Sequence, residues 1–280
     1  MKTRAKSAFL MVPLLAFVFL GGYFLMAGVF VLSLIAINEF CAAFGEKRPA
    51  KWVMVVSLIL LNALFIVVWL FARAAGFESI ALWVFISLLL SFISMFAMGK
   101  RDLLHGLATI AGVFYINFLA FHLVLVDSVH SSSYPAFDPA FLPALPGLHS
   151  FVWIVVLAAF GTDIFAYFTG KLIGKHKLCP TISPKKTIEG SIGGLAGSTV
   201  LCVLFGHFFL SGGIPLYIII GIFGSFAAQL GDLSSSVMKR KIGIKDWSSL
   251  IPGHGGVLDR VDSVFFTAPL VYYILIFANL

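Results

Sequence analysis

Four carboxylates in the C-terminal half, Asp163, Asp232, Asp259 and Asp262, fall where lipid surrounds the chain or where a helix would end. An ionisable side chain there costs a few kcal/mol and is a functional candidate. In F-G-S-F-A-A-Q-L-G-D-L-S-S-S-V-M-K-R, helical spacing aligns Asp232, Ser235, Ser236 and Lys239 on one stripe. A carboxylate, two hydroxyls and an ammonium then face one space. Hard oxygen donors of that kind suit Mg²⁺, which keeps waters and takes one or two carboxylates plus substrate phosphates. The plainer reading, a solvated helix end, fits poorly with the depth of Asp232.

Next comes I-P-G-H-G-G-V-L-D-R-V-D, a glycine-rich turn ahead of Asp259, Arg260 and Asp262. Gly253, Gly255 and Gly256 allow close backbone approach and can aim N–H groups at an anion, and Arg260 suits bidentate phosphate contact. His254 reads equally as a phosphate donor, a proton carrier or a turn residue. An earlier loop offers Ser183, Lys185, Lys186 and Thr187 ahead of Glu189 and a glycine-rich helix start. Basic residues gathering beside a membrane account for its lysines alone; a polyphosphate partner also accounts for the Ser, Thr and Gly around them. Asp163 shares a helix face with Tyr167 and Gly170, and reads either as a site residue or as polar glue between helices. Glu39, near a helix end, reads as structural. Carboxylates for a divalent metal and cations for phosphate, at one mouth of a lipid-embedded chain, imply phosphoryl or nucleotidyl transfer between a soluble polyphosphate and a membrane lipid.

The elements carrying these residues must span a bilayer. The chain has 280 residues, 60% hydrophobic and 11% charged, against about 25% charged in a soluble domain, which excludes a water-soluble globular fold. Stretches of roughly 20 apolar residues lie near 52–72, 80–98, 103–126, 150–169, 191–211, 214–232 and 262–279. Residues 7–44 would make a helix of about 57 Å at roughly 1.5 Å per residue, so a break at Gly21-Gly22 is expected. The spacing predicts an all-α bundle of about nine spans forming one integral membrane domain, 1–280, with the catalytic part at about 160–265. With the N-terminus cytoplasmic, 18 of the 19 Lys and Arg fall on one side and only Arg73 on the other, as the positive-inside rule requires. The net charge of +7 thus marks a membrane face rather than nucleic-acid binding. The lysines near the start precede an apolar run too long for a cleaved signal, which reads as retained. The connection 127–149 reads as an outside linker, and Cys41, Cys179 and Cys202 as unpaired thiols.

The run Ser236-x-x-Lys239-Arg240-x4-Lys245-Asp246-x5-Pro252-Gly253-His254-Gly255-Gly256-x2-Asp259-Arg260-x-Asp262 resembles the signature of phosphatidate cytidylyltransferases, the CDP-diacylglycerol synthases. Gln229-x-Gly231-Asp232, Ser183-Pro184-Lys185-Lys186-Thr187-x-Glu189-Gly190 and Asp163-x3-Tyr167-x2-Gly170 also look like family motifs. The resemblance implies transfer of cytidylyl from CTP to phosphatidate with release of pyrophosphate, dependent on Mg²⁺ with a second cation left open. It further implies a multi-pass enzyme of the bacterial inner membrane, similar to known dimeric members, with its site facing the cytoplasm. By that analogy Asp232 and Asp259 hold metal with Asp163, Asp246 and Asp262 assisting, and Lys239, Arg260 and Asp262 join them in catalysis. Ser183, Lys185, Lys186, Thr187, Ser236, Arg240, Lys245, Asp246, His254, Gly255 and Gly256 would contact the substrates. A lipid-alcohol kinase using CTP and an ion transporter with intramembrane acids are the competing readings.

Overall fold

The computed structural model describes residues 12–45, 49–70, 77–97, 103–129, 150–210, 213–253 and 255–278. The helices are α1 (Val12–Leu20), α2 (Gly22–Ala43), α3 (Lys51–Leu70), α4 (Phe77–Ala97), α5 (Leu103–Gly112), α6 (Leu119–Ser128), α7 (Val152–Ile173), α8 (Ile188–Phe209), α9 (Ile214–Lys241) and α10 (Leu258–Phe277). A π-helical stretch, Val113–Phe118, joins α5 to α6 into one span, Leu103–Ser128. Among the described residues seven helices are long and apolar enough to cross a membrane, and Lys51–Val67 is a shorter apolar one. The apolar stretches read from the sequence all map onto helices, forming an all-α polytopic bundle. α1, of nine residues, begins at the edge of the described chain. Most of the connection after Asp127, residues 130–149, and His254 lie outside the described residues.

The expected break falls at Gly21, where φ is +62°, with Gly22 at +52°; both need a backbone region that side chains disfavour. The chain folds back there, and Phe17 of α1 sits against Gly28 of α2. The turn is pinned by Asp127 at the end of α6, whose carboxylate accepts from the Gly22 amide at 2.6 Å and from the Ser150 hydroxyl at 2.7 Å. Three chain segments are thereby tied at one end of the bundle.

The functional residues collect at the other end, where α2 and α7 finish, α8 and α10 begin and α9 finishes. α7 and α8 pack closely because Gly190 and Gly194, four residues apart, place backbone against the Ala166 and Thr162 carbonyls; small residues at that spacing let helices approach in lipid. Between these helices lies an antiparallel hairpin that sequence reading treated as plain loop: β1 (Lys177–Cys179) and β2 (Ser183–Thr187), with Lys177 opposite Thr187 and Cys179 opposite Ser183. Glu189 fastens it, accepting from the Lys175 amide at 3.0 Å, the His176 amide at 3.2 Å and His176 Nδ1 at 2.6 Å.

Candidate active site

α9 presents the expected stripe, but it serves two neighbours. Asp232, 27% exposed at its side chain, pairs with Lys186 of β2, 28% exposed. One turn on, Ser235 is buried and accepts from Trp247 Nε1 at 3.0 Å. Lys239 is buried and pairs with Asp259 of α10 at 2.5 Å, their side chains 9% and 3% exposed. Asp259 is fully engaged, because its second oxygen accepts from the amides of Trp247 at 2.8 Å and Gly256 at 2.9 Å. Ser236 lies half-buried, and Arg240 is exposed and donates to the Ile244 carbonyl at 2.9 Å.

The glycine-rich turn does aim amides at an anion, and the anions are the protein's own. Asp259 takes Gly256 N–H, while Glu39 of α2 accepts from the amides of Val257 at 2.9 Å and Leu258 at 2.8 Å and from the Ser248 hydroxyl at 2.6 Å. Gly255, at φ +85°, and Gly256 leave room for these carboxylates: a Cβ on either would lie within 2.8 Å of an Asp259 or Glu39 oxygen. The helix start is therefore not a vacant phosphate cradle, as the sequence suggested. The structural reading of Glu39 holds.

Two cavities flank this core. The larger, about 550 Å³, is lined by Lys245, Asp246, Ser248, Gly253, Gly255 and Arg260 among others. The smaller, about 290 Å³, is lined by Asp163, Tyr167, Lys171, Lys185, Lys186, Thr187, Ser191 and Gln229 with apolar neighbours. Asp163 lies ten residues before the end of α7, about 15 Å along the helix at roughly 1.5 Å per residue, so this cavity reaches membrane depth. α7 and α8, which wall it, also carry exposed Ile164, Phe168, Ile188 and Ile192. Thr187 lines it as well, yet also caps α8 by accepting the Gly190 amide at 3.1 Å. Ser183, Asp232, Ser236, Lys239, Arg240, Gly256, Asp259 and Asp262 line neither cavity.

Asp163 and Asp262 both lie in the field of Asp232, with Lys186 and Arg260 acting on Asp163 and Lys239 on Asp262. Asp262 is buried and accepts from the Ser263 amide at 2.8 Å. Arg260 Nε is buried with no hydrogen-bond partner among the described residues, an orphan donor for which an anion is the natural complement. No cage of three or more His, Cys, Asp or Glu side chains is gathered among the described residues. Mg²⁺ needs none, since one or two carboxylates with waters and phosphate oxygens suffice. Asp232 and Asp163 suit that role, whereas both Asp259 oxygens already have partners.

Sequence reasoning gave no role to Trp247, which clips the 242–257 loop to both Ser235 and Asp259, nor to Tyr115, whose buried hydroxyl lies beside Ser235. Being the single Phe, Tyr or Trp between α9 and α10 is the one signal that marks Trp247. Gln229, quoted only as part of a motif, interlocks with Ser191: the Ser191 hydroxyl donates to its Oε1, and its Nε2 donates to the Ser191 carbonyl at 3.2 Å.

The profile of the cytidylyltransferase family matches residues 2–278. The chain is 34% identical to a phosphatidate cytidylyltransferase of Staphylococcus haemolyticus over 287 residues, covering 99% of each. It is 34% identical to one from Synechocystis over 280 residues, 92% of this chain and 90% of the relative. With one from Staphylococcus saprophyticus it shares 46% identity over 132 residues, 46% of this chain and 50% of the relative.

Proposed function

This chain belongs to the cytidylyltransferase family, and from that premise we infer that it transfers the cytidylyl group of CTP to phosphatidate, yielding CDP-diacylglycerol and pyrophosphate for phospholipid synthesis. The observation that carries this reading is a pair of cavities that each hold acidic and basic side chains, one walled by the loop after α9 together with Arg260, the other lined by Asp163, Lys185 and Lys186 between α7 and the hairpin. CTP enters the larger cavity, its phosphates met by Lys245 and by Arg260, whose Nε has no hydrogen-bond partner among the described residues. The phosphatidate head enters the smaller one at Lys185 and Lys186, its acyl chains lying along exposed apolar residues of α7 and α8.

A phosphate monoester has its second pKa near about 6, so the lipid phosphate is largely dianionic at neutral pH and needs no protein base. One of its oxygens attacks the α-phosphorus of CTP, forming the new P–O bond. The bond from the α-phosphorus to its bridging oxygen breaks, and pyrophosphate leaves with that oxygen. This chain's residues orient the two phosphates in line and neutralise them, which is most of what phosphoryl chemistry requires. Mg²⁺ would be held by Asp232 and Asp163 and, when bound, would offset charge on the triphosphate. Lys239 is not free for phosphate while it neutralises Asp259; their pair ties α9, which carries Asp232, to α10, which carries Arg260.

The gathering of basic residues at the site end supports a cytoplasmic orientation in a bacterial inner membrane, and the exposed apolar helix faces are compatible with a homodimer. The test is purified protein in detergent supplied with CTP, phosphatidate and Mg²⁺. Pyrophosphate and CDP-diacylglycerol form in equal amounts, chelation stops both, and UTP or ATP replaces CTP poorly. Release of CDP with a phosphorylated lipid alcohol would instead establish a kinase.

A further inference from the structure

Every side chain discussed above as substrate-facing comes from the C-terminal half, yet a buried carboxylate from the N-terminal half reaches into the same core. Glu39, near the end of α2, is 5% exposed. Its carboxylate accepts from Ser248 Oγ at 2.6 Å, Val257 N at 2.9 Å and Leu258 N at 2.8 Å. It makes no ion pair among the described residues. All its partners are donors, and two are the amides of Val257, which caps α10, and Leu258, its first residue, neither of which has a carbonyl partner within the helix. The positive end of the helix dipole balances the charge. Gly256 is shaped to it, since a Cβ there would stand 2.6 Å from Oε2.

We propose that Glu39 is a positioning residue for the nucleotide side of the reaction: it fixes where α10 begins, and thereby where Arg260 and the Ser248, Gly253 and Gly255 wall of the larger cavity stand. The residue contacts no substrate itself. Asp259 holds the same turn through Gly256 and Trp247, so two carboxylates divide the amides of the helix start. With that start occupied, the triphosphate is left to side-chain cations, whose placement depends on the turn. This requirement explains a glutamate rather than a glutamine. Whichever way an amide group turned, its NH₂ would face a backbone N–H of Val257 or Leu258, leaving a buried donor unsatisfied.

The inference rests on the nucleotide reading of the larger cavity, and its test separates the two. In E39Q purified as folded protein, the KM for CTP rises at least about tenfold and kcat falls, while the KM for phosphatidate stays within about twofold, because Glu39 touches the wall of one cavity only. Equal kinetic constants in E39Q and wild type, or equal changes in both KM values, overturn the proposal. Amide exchange of the wild-type protein gives an answer independent of catalysis and of any variant's folding. Val257 and Leu258 exchange slowly although no helical carbonyl receives them, and exchange at the rate of open-turn amides would also overturn it. Wild-type protein lacking CTP-dependent pyrophosphate release would refute the assigned reaction and leave the exchange result standing.

Discussion

Asp232 and Asp259 look alike in the sequence, each an aspartate at the mouth of an apolar helix, yet their surroundings separate them. Asp259 is almost wholly enclosed with Lys239, whereas Asp232 and Lys186 each keep over a quarter of their side-chain surface open. Removing one member of a buried pair strands the other and costs about 3–5 kcal/mol; an open pair contributes about 0–1 kcal/mol. D232N is therefore expected to keep the wild-type unfolding midpoint in detergent and to lose CTP-dependent pyrophosphate release by at least about a hundredfold. D259N loses thermal stability as well as activity, and D259N/K239M, which removes both charges, recovers part of the stability. A D259N protein as stable as wild type would show that the buried pair does not hold α9 to α10. Type and spacing thus singled out these aspartates as candidates, but not which of them the fold encloses. Which carboxylate is enclosed depends on Trp247 and Gly256, brought to it by a loop whose path no periodicity encodes.

At the level of elements, the helices were readable because lipid forces backbone satisfaction within each apolar run, and the reversal at Gly21-Gly22 because a single helix there would overrun the bilayer. The β1–β2 hairpin was not readable. Its strands are short, carry lysines and a proline, and lack alternating apolar residues. Glu189 fastens the hairpin from the start of α8 through bonds spanning 13 and 14 residues, and Lys186 is delivered to Asp232 only as a result. Helix crossings were equally hidden, since small residues mark a close approach without naming the partner. Gly231 is the sharpest case: a Cβ there would meet the Asp262 carbonyl at 2.6 Å and Phe266 at 3.0 Å. Because the obstacle is backbone, G231A must push α9 from α10 next to Asp232. Overpacking of this kind costs about 1–3 kcal/mol, and thermal unfolding with a parallel pyrophosphate assay should record both a lower midpoint and a lower rate. G243A is the contrasting control, as a Cβ there meets nothing within 4 Å; its positive φ of +80° predicts only a small loss of stability in the turn after α9.

For the whole molecule, chain alternation places the Glu39 end of α2, the start of α3, the hairpin, the end of α9 and the start of α10 together, and the Gly21 turn, Asp127 and Ser150 at the opposite end. The basic residues follow the first group: Lys51, Lys171, Lys175, Lys177, Lys185, Lys186, Lys239, Arg240, Lys241, Lys245 and Arg260 all stand at or near the catalytic end. Lysines and arginines collected on short loops remain in the cytoplasm during insertion, and a triphosphate would be met there, so orientation by charge and orientation by substrate require the same side. The cysteines make this measurable. Cys41 and Cys202 are buried, while Cys179 sits partly exposed on the hairpin, and Val129 lies at the far end just after α6. In intact cells a membrane-impermeant maleimide should modify V129C and spare Cys179; after permeabilisation it should modify both, and C179S should remove the second signal. Modification of Cys179 from outside would invert the molecule. The lysine-rich hairpin would then stand on the side away from cytoplasmic nucleotide, and charge distribution and catalysis could no longer share one explanation.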